Sequence, residues 1–308
     1  MPITLQESLR GLFYAPYYAA LALEAYRSEG IDVRFVSAPT PGQAATSLWD
    51  GGIDVTWGGP MRVMQTYAQK PECDIVCFAE VVTRDPFFLV GARPRPGFSI
   101  ADLAGVRLAT VAEVPTPWMC LQQDIRDAGL DPAAIRRAAD QSMADNVAAL
   151  ARGEVDCVQI FEPLVEGLVA SGQGHIWYAA ASRGACSYTT LYARRPTFEA
   201  RRDELSRMTR ALHRTLSWVH AAQPQRLAEV VRPYFPATPL PQLTGALARY
   251  QALGIWGRDC RLPRTGWERL RTSLVSGGFV ADGTPYETAV DNALAAAVRA
   301  EAPPPLAA

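Results

Sequence analysis

The stretch Arg10-Gly-Leu-Phe-Tyr-Ala-Pro-Tyr-Tyr-Ala-Ala-Leu21 gathers three tyrosines and a phenylalanine around a glycine and a proline. The residues before it, Ile3-Thr-Leu-Gln-Glu7, alternate in the manner of a strand, and Ala19–Tyr26 is rich in strong helix formers. The aromatic side chains therefore lie on the connection from a first strand to a first helix. In an open α/β sheet such connections lie at the carboxyl ends of the strands, where ligands bind. The rings either cover the core or offer a stacking surface to a flat ligand.

The composition is that of a globular protein with almost balanced charge. The chain has 308 residues, of which 49% are hydrophobic and 20% are charged, and its net charge is −1. This length exceeds one ordinary core and suits two domains. The balanced charge favours neither nucleic acid nor an anionic membrane as a partner. No stretch of the sequence approaches the ~20 apolar residues of a membrane span, so we expect no direct membrane insertion.

Cysteine and histidine usage argues against metal chemistry. The six cysteines, at 73, 77, 120, 157, 186 and 260, form no Cys-x-x-Cys pair, and the three histidines lie at 175, 213 and 220. Because no zinc or iron–sulfur spacing results, the sequence predicts no metal and no cofactor. Cysteines within apolar runs favour buried, reduced thiols over a disulfide framework, and hence a reducing compartment.

Strand and helix patterns alternate through the first part of the chain. Predicted strands are 31–36, 53–57, 74–79, 87–90, 106–111, 155–161 and 175–178; predicted helices are 41–49, 61–68, 99–105, 118–128 and 143–151. This rhythm indicates parallel sheets with right-handed crossovers. From Phe198 onward the pattern is helical only, and the tail Ala302–Leu306 is predicted to be disordered.

An internal echo divides the chain into two similar parts. Leu48-Trp-Asp-Gly-Gly-Ile-Asp-Val-Thr56 resembles Leu150-Ala-Arg-Gly-Glu-Val-Asp-Cys-Val158, so each part carries a helix–Gly–x–(Ile/Val)–Asp–strand unit. The β-rich segment 187–193 is predicted to re-enter the first sheet. We therefore predict an α/β fold with a first lobe at 1–86 and 188–308, which includes the C-terminal helices, and a second lobe at 87–187 inserted into it. Two such lobes predict a cleft between them.

Taken together, these motifs resemble type II solute-binding proteins of ABC importers, in the sulfonate/nitrate/thiamine-pyrimidine-precursor branch. The matching pieces are the aromatic turn at 11–18, Tyr26–Val33, Leu48–Val55, Ile100–Leu108, Gly153–Asp156, Phe161–Pro163, Tyr250–Trp256 and Gly266-Trp267. The resemblance implies the type II periplasmic-binding-protein fold, with ligand in a hinge cleft and an ABC permease as partner. Relatives that are enzymes use a histidine or a cysteine near this cleft. Residues 1–174 contain no histidine, and the first strand–helix loop holds Phe13 and Tyr14 instead of a cysteine, so no catalytic residue is predicted.

Candidate ligand-binding residues of the first lobe follow its strands. Phe13 and Tyr14 can stack on a planar ligand, or they can cap the first helix against the sheet. Gly58 and Gly59 end a strand before a helix, which exposes backbone N–H groups to a carboxylate, a sulfonate or a ring carbonyl. Arg62, one turn further, can add a bidentate contact, or it can form a structural ion pair.

The second lobe and the return to the first supply the remaining candidates. Thr116 can cap a helix or donate to the ligand, and Trp118 can stack on it or belong to the core. Glu162 can accept hydrogen bonds from the ligand, or its carboxylate can interact with a helix dipole. Ser187 and Tyr188 can add hydroxyl contacts.

We therefore expect a solute-binding protein that captures a small planar or anionic organic molecule by hinge closure. A pyrimidine or thiamine-precursor-like heteroaromatic, a sulfonate and a carboxylate all fit. The N-terminal residues show no secretory signal, so two locations stay open: the periplasm or cell envelope, if a leader was removed, and the cytoplasm. A cytoplasmic enzyme of the same fold, acting on a small aromatic or heterocyclic substrate, is the alternative, and a ligand sensor without a permease is a third hypothesis.

Overall fold

Two five-stranded sheets organise the computed structural model, which describes residues 1–70, 72–138 and 140–307. The strands are β1 (Ile3–Glu7), β2 (Val33–Ser37), β3 (Val55–Gly58), β4 (Ile75–Val82), β5 (Phe87–Gly91), β6 (Arg107–Ala109), β7 (Arg136–Arg137), β8 (Cys157–Phe161), β9 (His175–Ala179) and β10 (Thr189–Arg194). The helices are α1 (Ala15–Ala22), α2 (Ala25–Ser28), α3 (Pro60–Gln69), α4 (Thr116–Asp127), α5 (Met143–Ala151), α6 (Leu164–Ala170), α7 (Arg195–Ala200), α8 (Arg202–Ala221), α9 (Pro224–Val231), α10 (Leu240–Leu253), α11 (Arg264–Ser276), α12 (Tyr286–Ala289) and α13 (Ala293–Glu301). We call the parts built around the first and the second sheet the first and the second lobe.

The two sheets have the same strand pattern. The first runs β2-β1-β3-β10-β4 and the second runs β7-β6-β8-β5-β9. In each, three parallel strands are followed by an antiparallel one. The predicted return of the chain to the first sheet is confirmed, because β10 pairs with both β3 and β4. The sheets are therefore mixed and not wholly parallel as predicted: parallel pairing joins three strands of each, and the fourth strand in the order is the one that runs in the opposite direction.

The internal echo leads into the third strand of each sheet and has a physical cause. Gly51 and Gly153 have φ of +73° and +72°, a left-handed conformation that glycine adopts without strain. Three residues later, the carboxylate of Asp54 accepts the Thr4 N–H at 2.8 Å, and that of Asp156 accepts the Arg107 N–H at 2.9 Å. Each aspartate thus ties the start of the third strand to the neighbouring strand of its sheet.

Helix α5 begins where a side chain satisfies one of its free N–H groups. The side chain of Ser142 accepts the Asp145 N–H and caps α5, whose predicted bounds are confirmed. The predicted helix at 41–49 is wrong, since this segment forms two short 3-10 turns, Pro41–Gln43 and Thr46–Asp50. The hydroxyl of Ser47 donates to the Ala44 carbonyl there, which competes with α-helical bonding.

The C-terminal helices pack on the first sheet and also reach the second lobe. α10 contacts α6, and α11 contacts α4. The tail was predicted to be disordered, and this is wrong for Leu306. Its side chain is buried and its N–H donates to the Arg214 carbonyl at 3.4 Å, while Arg214 donates to the Pro304 carbonyl. The tail therefore packs along α8 through the buried residues Pro303 and Leu306 and through these hydrogen bonds with Arg214. Across the described ranges, no helix combines the length and the apolar character needed to cross a membrane.

Candidate ligand-binding site

A cavity of about 40 Å³ lies where the two lobes meet. Its lining residues are Ser8, Leu9, Phe13, Tyr14, Pro41, Gly59, Met61, Arg62, Phe87, Val114, Thr116 and Tyr188. They follow the carboxyl ends of β1, β2, β3 and β6 or flank the two crossings between the sheets, as expected for an α/β fold. The volume has room for a few water molecules, so a larger ligand requires the lobes to separate.

An aromatic group spans the boundary between the lobes. The ring centroid of Phe13 lies 5.1 Å from that of Phe161 and 6.5 Å from that of Tyr188, both edge to face. Phe161 in turn lies 5.2 Å from Phe87. Gly11 allows this arrangement, because a Cβ at that position would lie 2.7 Å from the Phe13 ring. The cavity therefore has aromatic, apolar lining from both lobes, with Phe13 from the first and Phe87 from the second.

The four aromatic residues of the opening stretch divide into two pairs. Phe13 and Tyr14 line the cavity from a 3-10 turn, whereas Tyr17 and Tyr18 are buried in the first-lobe core. The Tyr17 ring stacks on Trp57 with centroids 4.6 Å apart, and the Tyr18 hydroxyl donates to Glu7 at 2.7 Å. Tyr17 and Tyr18 therefore cover the core, while Phe13 and Tyr14 lie at the cavity, where a stacking surface for a ligand stays a prediction.

Arg62 brings a cation to the cavity without a carboxylate beside it. Its guanidinium donates to the Gln65 side chain at 2.8 Å, and no described carboxylate forms an ion pair with it. Burial lowers the pKa of Arg62, which still remains charged at neutral pH. By contrast Arg183, which is almost fully buried, pairs with both Asp85 and Asp124. The cation of Arg62 is thus available to a ligand.

Residues with neutral hydroxyl groups line the same cavity as Arg62. Tyr14 and Ser8 form a hydrogen bond at 3.2 Å, and burial raises the pKa of Tyr14 to about 12. Within the described ranges, the buried hydroxyl of Tyr188 has no hydrogen-bond partner. Gly58 stands behind the cavity, where a Cβ would lie 2.9 Å from the Tyr192 hydroxyl. These groups can donate hydrogen bonds to an anion without adding negative charge.

The structure brings together Phe13, Tyr14, Gly59, Arg62, Thr116 and Tyr188 among the predicted residues. The others lie elsewhere. Trp118 packs against the second-lobe core with the Arg137 guanidinium 4.9 Å above its ring. Glu162 is buried against Arg249, and the Ser187 N–H donates to the Gly266 carbonyl.

Several lining residues were missed by the sequence reasoning. Ser8 and Leu9 directly follow β1, so the strand-end rule that selected Gly58 and Gly59 would have found them. Phe87 and Val114 carry no such signal, because their apolar side chains look like ordinary core residues. Their position depends on how the second lobe sits on the first.

Comparison with known proteins agrees with this architecture. A model of the family described as NMT1/THI5 like matches residues 13–226. YtlA, a candidate binding protein of Bacillus subtilis (strain 168), is 24% identical over 301 residues, which cover 97% of this chain and 90% of YtlA.

Solved structures share the fold at low sequence identity. A protein of Methylobacillus flagellatus KT, described as the periplasmic sulfonate-binding protein SsuA of a candidate sulfonate ABC transporter, has a TM-score of 0.75 at 15% identity; the match covers 98% of this chain and 94% of that one. The desulfurization enzyme DSZB has a TM-score of 0.70 at 13% identity, with 98% and 100% covered. The type II periplasmic-binding-protein fold therefore serves both binding and catalysis.

Proposed function

The chain belongs to the NMT1/THI5-like family, and from that premise we propose that it is a solute-binding protein for a small organic anion. The observation that carries the proposal is Arg62, a partly buried cation at an interlobe cavity with no described carboxylate as partner. Placing such a charge in a poorly hydrated site costs free energy, which a bound anion recovers.

The cavity walls support a ligand with an anionic head and a flat or short apolar body. We propose that Arg62 and the hydroxyls of Tyr14 and Tyr188 bind the head. In the first turn of α3 the Met61 N–H can add a backbone donor, because Pro60 has no N–H and the Arg62 N–H donates to the Gly59 carbonyl. The rings of Phe13 and Phe87 offer the body an apolar surface. Alkanesulfonates and aromatic or heteroaromatic carboxylates have this form, whereas a neutral pyrimidine offers only the flat body.

Capture by hinge motion is part of the proposal. We propose that the first lobe comprises 1–86 and 188–308 and the second 87–187, with the two crossings between the sheets acting as the hinge. Residues from both lobes line the cavity, so a ligand bound to one lobe favours closure of the other over it. We further propose that the protein acts in the periplasm or cell envelope and delivers its ligand to an ABC permease.

An enzyme on this scaffold is the alternative, and DSZB shows that the fold permits one. The described residues that line the cavity include no cysteine and no histidine. Burial also raises the pKa of the thiols Cys77, Cys157 and Cys260, which makes them poor nucleophiles. Binding without covalent chemistry therefore fits the cavity better.

Isothermal titration calorimetry against a panel of ligands tests the proposal. The panel contains an alkanesulfonate, benzoate, nitrate and a neutral pyrimidine. We expect micromolar or tighter binding of an organic anion, and Arg62→Gln weakens it by about 10- to 100-fold because a charge-assisted bond is lost. Arg269→Gln is the matched control, since that arginine is exposed on α11. Binding of the neutral pyrimidine alone, or equal affinity in Arg62→Gln, overturns the proposal.

A further inference from the structure

Helix α10 of the C-terminal region holds the second lobe by a buried ion-pair group. Arg249 pairs with both Glu162, at the end of β8, and Glu166 in α6; the Glu166 contact is 2.6 Å. The side chain of Glu162 is 0% exposed and its carboxylate also accepts the Glu166 N–H at 2.8 Å. The carboxylate predicted to meet a ligand is therefore used to join two parts of the molecule.

The next residue ties the same helix to a crossing between the sheets. The hydroxyl of Tyr250 accepts the Glu162 N–H at 3.1 Å and donates to the Pro86 carbonyl at 3.2 Å. Pro86 lies on the outward crossing, directly before β5. One buried hydroxyl thus connects α10, the outward crossing and the second lobe. Gln242, at the other end of α10, donates to the Pro163 carbonyl at 2.8 Å.

Glycines on both helices make this contact close. A Cβ at Gly245 of α10 would lie 2.3 Å from the Glu166 carboxylate. A Cβ at Gly167 of α6 would lie 2.9 Å from the Gln242 amide. A larger residue at either position would therefore displace the Glu166 carboxylate or the Gln242 amide from the contacts described above.

The group also reaches the cavity from two sides. Phe161, which directly precedes Glu162, contacts the Phe13 ring. On the other side Trp256, shortly after α10, donates to the Phe13 carbonyl at 2.8 Å and its ring lies 6.0 Å from Tyr250. The lining residue Phe13 is therefore held between the second lobe and the segment that binds that lobe.

We propose that Arg249 and Tyr250 form a latch that sets the angle between the lobes and holds the closed arrangement before ligand binds. The latch rests on the proposed function in one respect, namely that closure of the lobes captures the ligand. Both are positioning residues: neither lines the cavity, and they act through Glu162 and Pro86.

Distances between two spin labels test the latch without any ligand. Labels are attached at Asp50→Cys in the first lobe and Arg136→Cys in the second, both exposed positions, while the native thiols are buried. We expect Arg249→Met and Tyr250→Phe each to add a population whose distance differs by more than about 2 Å, the scale of domain rearrangement. Arg264→Met is the control, because it removes an exposed ion pair within the C-terminal helices and leaves the distance unchanged.

The double variant Glu162→Gln/Arg249→Met distinguishes a positioning role of Arg249 from a general effect on the stability of the protein. It removes the unpaired buried charge, so we expect its melting temperature to recover towards the parent while the altered distance persists. Parent-like distances in the double variant and in Tyr250→Phe overturn the latch. Altered distances in a protein that binds no organic anion would leave the latch standing and refute the proposed function.

Discussion

The third strand of each sheet ends in a different way, although the two strands occupy the same place in the same pattern. β3 leads through two glycines to α3 and Arg62, whose cation no described carboxylate neutralises. β8 leads to Glu162, whose carboxylate is buried and neutralised by Arg249. The same fold position therefore carries a cation without a described ion-pair partner in the first lobe, where we propose ligand binding, and a buried ion pair that attaches the lobes in the second. A charged residue near a strand end is therefore a candidate binding residue only when no residue of opposite charge pairs with it.

The largest expected effect is the loss of stability when the ion pair between Glu162 and Arg249 is broken. Arg249→Met leaves the Glu162 carboxylate buried without a cation, which costs about 3–5 kcal/mol of the free energy of unfolding. Urea denaturation measures the loss, and Arg226→Met on α9, which removes an exposed pair with Glu229, serves as control. If Arg249→Met loses no more free energy of unfolding than the control, the Glu162 carboxylate does not depend on Arg249, and the contrast with Arg62 is wrong.

A buried glutamate of the first lobe provides a pH-dependent contrast with Glu162. Glu80 of β4 forms no ion pair with any described residue, and burial raises the pKa of its carboxyl well above 4.5. The folded state then keeps a proton that the unfolded chain releases, so stability falls as pH rises above ~4.5, by at most about 1.4 kcal/mol per pH unit. Glu80→Gln removes this dependence.

Melting temperatures between pH 5 and pH 8 check the effect at Glu80. We expect the Gln variant to exceed the parent at pH 8 and the difference to shrink towards pH 5. Glu72→Gln, an exposed substitution, should follow the parent throughout. A variant that is less stable than the parent at pH 8 contradicts a protonated Glu80.

A smaller effect is expected at the aromatic wall. Phe13→Leu keeps apolar volume but removes the flat face that meets the cavity, so we expect roughly tenfold weaker ligand binding with less than about 1.5 kcal/mol lost in stability. Trp118→Leu is the comparison, because that ring packs on the second-lobe core instead. Calorimetry measures the affinity of both variants for the anion of the panel that binds most tightly. An equal loss of affinity in Phe13→Leu and Trp118→Leu would contradict a ligand contact that is specific to Phe13.

The smallest expected effect is the change in stability of the ligand-free protein when Arg62 is replaced. Arg62→Gln breaks no ion pair, so the free energy of unfolding should change by no more than about 0.5 kcal/mol. Urea denaturation without ligand measures it. A loss comparable to that of Arg249→Met would show that Arg62 has a structural role instead.

Local patterns were sufficient for much of the architecture. The Gly–x–(Ile/Val)–Asp echo predicted two related lobes, and Asp54 and Asp156 form the same bond in each. Cavity residues on the strand-to-helix connections of the first lobe, such as Phe13 and Arg62, were also accessible from sequence. Glu162 shows the limit, because its partner Arg249 is 87 residues away and no spacing rule joins them. Phe87 and Val114 needed the packing of one lobe on the other.

The place of β10 has a consequence for synthesis of the chain. β10 lies inside the first sheet, between β3 and β4, yet it is encoded after the entire second lobe. The N-terminal part therefore leaves the ribosome with its sheet incomplete, whereas the second lobe emerges as one continuous segment and can fold at once. We therefore expect the inserted lobe to fold first during translation, while the first sheet stays incomplete until β10, an interior strand, has been synthesised.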